Sequence, residues 1–238
     1  IRTGYLLLAT GANSPLVRQL VPEHEILPRH SAVGMQLYFT GVEQHEHSQL
    51  SEYYLFDRKF MPGGLYITPF ADGSVNVNAV MRLDTFQKSR PKLPALMQAY
   101  IQAHPHLRAR FSTAESQGQP TGSSLFFGTT KRPLSRGNCL LIGDAAGLTD
   151  ATNANGIGHA MISGGIAATF AAQAFEANRT IDGYDEAVFA RLKNALRPGK
   201  VMKALFSNSV TTGLSVSLLN ASLNRFNSRA VEEFVYSA

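Results

Sequence analysis

The sequence predicts a mixed α/β protein in which two pieces of a parallel sheet bracket an antiparallel one and helices close the chain. Three observations carry this prediction. Tyr5–Ala9 and Cys139–Ile142 are apolar runs without alternation, each ended by turn residues, as strands covered on both faces are. From about Ser31 to Arg82 the pattern alternates in part, as in a sheet with one covered face. After the second apolar run comes a long Ala-, Gly- and Ile-rich helix pattern from about Gly156 to Asn178.

Taken in order, Thr10–Pro15 closes the first strand and Leu16–Leu20 follows as a short helix or turn. Val33–Phe39, Tyr53–Phe56, Gly64–Phe70 and Ser74–Val80 read as strands, the last two joined through the hairpin signal Ala71-Asp72-Gly73. Leu93–Ala103 is helical, entered through Pro91 and Pro94 and left at His104-Pro105. Gly118–Phe127 reads as loop and then strand. Thr180–Tyr184 opens a further helix, Pro198-Gly199 interrupts it, and the tail from Val201 to Phe234 is helical, with apolar Leu214, Val216, Leu218 and Leu219. The expected division is 1–28 with 128–185 as one domain, 29–127 as the antiparallel sheet, and 186–238 as a helical region.

With 238 residues, 44% of them hydrophobic, the chain can bury a sizeable core. Its net charge of +5 suits an anionic partner, a dinucleotide or an acidic lipid surface among them. No Lys/Arg block with interleaved aromatics points to nucleic acid. The single cysteine, Cys139, excludes an internal disulfide and suits a reducing compartment, so the expected location is cytoplasmic. Cys139 lies in an apolar strand and makes a poor nucleophile. His45 and His47 read as a loop pair, and no metal site is expected. Ser14 and Ser163 lack a hydrolase context. His159 reads as a packed or hydrogen-bonded structural histidine. Arg82 and Asp84 read as a solvated strand exit, and Asp150 as a turn cap.

Chemistry concentrates in the segment from Cys139 to Met161. A buried strand there delivers Asp144 at its carboxyl end, where ligands of open α/β sheets sit, and a carboxylate so placed accepts hydrogen bonds from ligand hydroxyls. Ala145, Ala146 and Gly147 keep the backbone bare for close approach. Asn155 and Gly156 then lead into a helix N-terminus, whose free N–H groups and dipole favour a negative or electron-rich ligand atom.

This segment resembles the second FAD fingerprint of the flavoprotein monooxygenase (p-hydroxybenzoate hydroxylase-like) and geranylgeranyl reductase superfamily: G-D-A-A-G, a few residues, Pro, then G-E-G-I or similar. Gly143 to Gly147 match in full and Gly156-Ile157 match the end. Ala151 stands at the usual Pro, Ala154 at the usual Gly, and Asn155 at the usual Glu or Asn-like residue. Leu8 to Arg18 is similar to the superfamily's Asp-Gly motif, with Thr10 in the Asp position before Gly11. Pro62-Gly-Gly-Leu-Tyr-Ile-Thr-Pro69 resembles the reductase pattern P-G-G-Y-x-W-x-F-P, with Tyr66 at the Trp. The chain has no Trp, so the paired-Trp signature of flavin halogenases is absent.

The resemblance implies a partial Rossmann-like FAD-binding domain with an inserted antiparallel substrate domain and C-terminal helices. It implies FAD as cofactor, held by Gly11, Gly143, Asp144, Ala145, Gly147, Asn155, Gly156 and Ile157, and a substrate facing Tyr66 and Pro69. No catalytic residue follows from it. The implied reaction is reduction of a carbon–carbon double bond in an isoprenoid or other lipid: NAD(P)H or another donor reduces FAD, and the flavin passes a hydride to the alkene. A flavin-dependent aromatic hydroxylase is the alternative, so the substrate is expected to be a small apolar or aromatic molecule. Charge and the apolar tail are compatible with peripheral membrane contact. The superfamily's G-x-G-x-x-G segment, which holds the ADP half of FAD, does not occur in the sequence. The expectation is therefore an N-terminally truncated chain, with a non-catalytic fragment as the reading of a different class.

Overall fold

The computed structural model describes residues 3–43, 52–55, 63–151 and 154–205, with backbone alone at 52–55 and 198–205. His45, His47, Phe56, Pro62, Asn153 and the predicted helical tail beyond 205 lie outside the described residues. In chain order the elements are β1 (Leu6–Leu8), α1 (Pro15–Leu20), β2 (Ser31–Thr40), β3 (Glu52–Leu55), β4 (Gly63–Pro69), β5 (Val75–Arg82), α2 (Leu83–Ser89), α3 (Leu93–Ala103), α4 (Pro105–Arg110), β6 (Glu115–Phe126), β7 (Ser135–Arg136), β8 (Cys139–Leu141), α5 (Ile157–Glu176) and α6 (Tyr184–Leu205). The fold is mixed α/β and falls into two compact units. The described residues of one are 3–32, 124–151 and 154–204; those of the other are 33–43, 52–55, 63–123 and 205. The boundaries fall inside β2 and β6, and α6 as far as Ala204 belongs to the first unit.

The second unit is built on a five-stranded sheet in the order β3-β4-β5-β2-β6. Leu65 and Ile67 of β4, Val75, Val77, Ala79 and Met81 of β5, and Met35, Leu37 and Phe39 of β2 alternate onto one face. Leu93, Met97, Tyr100 and Ile101 of α3 and Leu107 of α4 pack on that face. Each Leu, Ile, Val, Met or Phe among them contributes about 1.5–3 kcal/mol by leaving water. The β4–β5 hairpin closes where predicted: the Phe70 N–H donates to the Ser74 carbonyl (2.9 Å), and the Ser74 N–H and hydroxyl both donate to Asp72 Oδ1. Gly73 turns the chain at φ +84°.

Two local expectations change here. The strand predicted to follow a loop at Gly118 already begins at Glu115. As an edge strand it pairs on one side only, so it tolerates Gly118 and Pro120 and shows no apolar alternation. Arg82 and Asp84 form a half-buried ion pair that opens α2, with Arg82 Nε donating to Asp84 Oδ1 at 2.9 Å. The guanidinium holds the Asp84 carboxyl below its ordinary pKa.

The first unit is organised by the parallel pair β1–β8, with register Leu6↔Cys139, Leu7↔Leu140 and Leu8↔Leu141; β7 adds antiparallel to β8. α6 buries Tyr184, Val188, Leu192 and Leu196, one per turn of helix, in the core around β8. The Tyr184 hydroxyl donates to the Leu141 carbonyl (2.7 Å), and Asp185 accepts from the Leu134 N–H (2.9 Å) and the Ser135 hydroxyl (2.6 Å). The predicted interruption at Pro198-Gly199 does not occur, and α6 runs through both residues to Leu205. A helix-interior proline costs about 3 kcal/mol. Four buried side chains at about 1.5–3 kcal/mol each outweigh it.

Candidate functional site

Because β1 and β8 are parallel neighbours, the loops at their carboxyl ends leave from the same end of the sheet. The Ile142 N–H donates to the Leu8 carbonyl (3.0 Å), the last bond before both chains turn away. After Leu8 comes Gly11 at φ +78°, with open space where a side chain would begin. After Ile142 the chain makes a 3-10 turn over Gly143–Ala146, flanked by two left-handed glycines, Gly143 (φ +58°) and Gly147 (φ +60°).

Each glycine of that turn has a packing reason besides its backbone angle. A Cβ on Gly143 would lie 2.8 Å from Ala160 Cβ, so the turn lies flat on α5. A Cβ on Gly147 would collide with the Arg132 guanidinium and with Ile26 Cδ1, 2.9 Å away. The turn is also tied to α5 by hydrogen bonds. The buried Ser163 hydroxyl donates to the His159 carbonyl (2.8 Å) and accepts from the Gly143 N–H (3.1 Å). His159 Nδ1 lies 2.7 Å from the Leu148 carbonyl, which makes it the donor and gives His159 the structural role expected of it.

Asp144 is half-buried at the tip of this turn. Its Oδ1 accepts from the Thr149 hydroxyl (3.1 Å). Gly156, the residue before α5, lies beside it: a Cβ there would be 3.1 Å from Asp144 Oδ1 and 3.6 Å from Thr149 Oγ1. The strand-tip carboxylate and the bare start of the helix therefore adjoin. Among the described residues no side chain caps the first turn of α5, and none of them takes up its leading N–H groups. Oδ2 of Asp144 has no partner among the described residues. A carboxylate oxygen, a side-chain-free glycine and uncapped helix amides in one place fit a ligand that carries hydroxyls and an electron-rich edge.

The remaining predicted residues are placed as follows. Ala145 is buried under the turn. Asn155 is exposed, and its carbonyl accepts from the Asp150 N–H (2.8 Å), closing the loop before the helix. Ala154 has φ +58°, a left-handed angle that explains the glycine usual at this position of the motif. Ile157 opens α5 with its side chain in solvent, 78% exposed. Tyr66 and Pro69 belong to the other unit, on β4, where Tyr66 pairs with Asn78 and Tyr53 and Pro69 with Val75. Cys139 is half-buried on β8, and burial pushes its thiol pKa up, against nucleophilic use.

Sequence reasoning missed three supporting residues. Thr149 holds Asp144, and only its nearness to the motif hinted at this. Ser163, set aside as a nucleophile, pins Gly143. Arg132 braces the loop from below, its Nη2 donating to the carbonyls of Phe127 (3.0 Å) and Gly147 (2.6 Å). Burial lowers its pKa to about 10, so it stays charged at neutral pH. His24 lies nearby with Nδ1 2.7 Å from the Pro133 carbonyl. Burial, with a smaller contribution from Arg132, holds its pKa down to about 4 although the Pro133 contact pulls the other way.

No family model matches the chain. It is 26% identical over 179 residues to the digeranylgeranylglycerophospholipid reductase of Thermoplasma volcanium, covering 75% of this chain and 43% of that protein. Among solved structures, it resembles a geranylgeranyl bacteriochlorophyll reductase-like protein from Thermoplasma acidophilum (TM-score 0.72, 20% identity, 86% of this chain and 51% of that one). A flavin-dependent brominase is similar at TM-score 0.66 and 20% identity, over 98% of this chain and 56% of the brominase. The chain thus spans about half the length of the proteins it matches. It has the mixed α/β fold of flavoproteins of the geranylgeranyl reductase-like and flavin-dependent halogenase kind, and in sequence it is similar to one of the reductases.

Proposed function

We propose that this chain supplies the ribityl- and ring-binding part of an FAD-dependent oxidoreductase that reduces carbon–carbon double bonds of an isoprenoid or lipid substrate. The observation that carries the reading is the 3.1 Å approach of the Gly156 Cβ position to Asp144 Oδ1, which joins the carboxylate to the uncapped start of α5. Asp144 Oδ2 accepts a ribityl hydroxyl, with Thr149 fixing the carboxylate. Gly11, Gly143, Ala145 and Gly147 let ligand and backbone approach closely. The amides from Gly156 and Ile157 onward, with Asn155 before them, offset negative charge on the electron-rich edge of the ring. FAD, when bound, supplies hydride transfer to the alkene after reduction by NAD(P)H or another donor.

In the sheet unit, Tyr66 and Pro69 are the substrate contacts in this reading. Tyr66 shares its face of the sheet with an amide row: Asn78 Nδ2 donates to Asn76 Oδ1 (2.5 Å), and Asn76 Nδ2 to Gln36 Oε1 (3.3 Å). The name of the curated relative supports a lipid substrate at 26% identity. No helix among the described residues is long and apolar enough to cross a membrane.

The test is flavin binding by the purified protein, followed through the flavin absorption band near about 450 nm. Riboflavin and FAD should bind about equally, because the residues assigned here address the ring and ribityl chain. Asp144→Ala should weaken both at least about tenfold, the loss of a hydrogen bond to a charged group. Unchanged affinity in that variant overturns the site. Anaerobic oxidation of the reduced holoprotein by a prenyl lipid separates a reductase from a hydroxylase, which needs oxygen and an aromatic substrate.

A further inference from the structure

The first unit carries a depression of about 290 Å³, lined by Gly128, Lys131, Phe189, Lys193, Leu196 and Arg197 and by none of the residues assigned to the flavin. Its floor is apolar. Leu196 is buried there, seated against Gly128, where a Cβ would come within 2.8 Å of Leu196 Cδ2. Phe189 is half-buried beside it. The rim is cationic. Lys131 Nζ stands over the Phe189 ring, 5.8 Å from its centroid, and Lys193 and Arg197 are one turn apart on the same face of α6.

No carboxylate lines the depression, and none of the three cations is ion-paired to a described residue. Like charges one helical turn apart repel, so the cluster works against the fold unless an anion answers it. A free inorganic anion would use the rim and leave the apolar floor wet. Nucleic acid would call for a basic track along an extended surface. An amphiphile uses both parts, with its phosphate on the rim and its first methylenes on the floor. The volume lies at the lower bound of small-molecule pockets, about 300–1,000 Å³, which suits a headgroup and the start of its chains.

We infer that this depression is a docking site for the phosphate headgroup of an anionic phospholipid at a membrane surface. The inference deepens the lipid-substrate reading but uses none of its flavin residues. Failure of vesicle binding leaves flavin binding untouched, and failure of flavin binding leaves vesicle binding untouched.

The experiment is co-sedimentation with phosphatidylcholine vesicles, with and without phosphatidylglycerol. The unmodified protein should bind the anionic vesicles and leave the neutral ones. The triple variant K131Q/K193Q/R197Q, all exposed positions, should lose about fivefold per cation, on the order of 100-fold in all. A control with the same charge change at the exposed Lys88, Lys92 and Arg108, K88Q/K92Q/R108Q, should lose less than about fivefold. Since the chain has no Trp, Phe189→Trp provides a single reporter whose emission should shift blue on anionic vesicles and be quenched by brominated acyl chains. Equal losses in the two triple variants overturn the site in favour of net charge. Inorganic phosphate shifting the emission of the F189W reporter as far as vesicles do, or duplex DNA displacing the vesicles through the same three cations, overturns the lipid as its occupant.

Discussion

The two units use their polar side chains in different ways. Around the connection from β8 to α5 in the first, polar side chains mainly serve the backbone: Ser163 holds the Gly143 amide, Arg132 the Gly147 carbonyl, His159 the Leu148 carbonyl and Tyr184 the Leu141 carbonyl. They fix a turn whose residues other than Asp144 are Gly and Ala, so that mainly backbone is presented there. On the face of the sheet opposite the core, in the second unit, side chains bond each other: Asn78 to Asn76 and Asn76 to Gln36. A site made of backbone tolerates almost no side chain and is expensive to disturb. A site made of side chains can be rewritten while the sheet stands.

The sharpest way to break this contrast is to add one methyl group to the first unit. In Gly143→Ala the new Cβ lies 2.8 Å from Ala160 Cβ and takes a φ of +58°. Overpacking at about 1–3 kcal/mol and the left-handed angle at about 1–2 kcal/mol add to a destabilisation of about 2–5 kcal/mol. Gly11→Ala has the same angular problem with open space around it, and should cost only about 1–2 kcal/mol. Urea unfolding of the pair checks both. Equal costs would mean that the turn is not held flat on α5.

Next in size is an effect of pH. His24 has a folded pKa of about 4 against an ordinary 6.5, so the unfolded chain takes up the proton first as pH falls. Its contribution is therefore present above pH 6.5 and is lost between there and pH 4, with a total of about 3 kcal/mol. His24→Asn keeps a donor for the Pro133 carbonyl and cannot titrate. The stability difference between wild type and variant should shrink by about that amount from pH 7 to pH 4. A constant difference would show that His24 protonates in the folded protein without strain.

The same contrast explains what could be read in advance. Gly143–Gly147 was readable because backbone geometry of this kind admits few residue types, and left-handed angles at 143 and 147 demand glycine. Core strands β2, β4 and β5 were readable from alternation, and α3 from its prolines and apolar spacing. Arg132 and Ser163 were not, because a side chain that reaches a distant carbonyl or amide leaves no local pattern. The first part of β6 escaped because an exposed edge strand needs no apolar period, and the continuity of α6 through Pro198 because distributed packing overrode a local proline signal. Whether Tyr66 and Pro69 meet a ligand is a matter of side-chain chemistry on a sheet, where spacing fixes the face and says little about the partner.

The smallest expected effect probes the other side of the contrast. Asn78 is half-buried, and its amide donates one bond, to Asn76 Oδ1. Asn78→Ala removes that bond and leaves Asn76 still donating to Gln36. A neutral side-chain hydrogen bond contributes about 1 kcal/mol, so the urea midpoint should move by no more than that. The β4–β5 register stays, because it is set by backbone pairs from Gly63↔Met81 to Pro69↔Val75 and by the alternation of Leu65 and Ile67 into the core. A cost of Asn78→Ala that approaches that of Gly143→Ala would place the amide row among the structural supports, and the division between a backbone-built and a side-chain-built surface would fail.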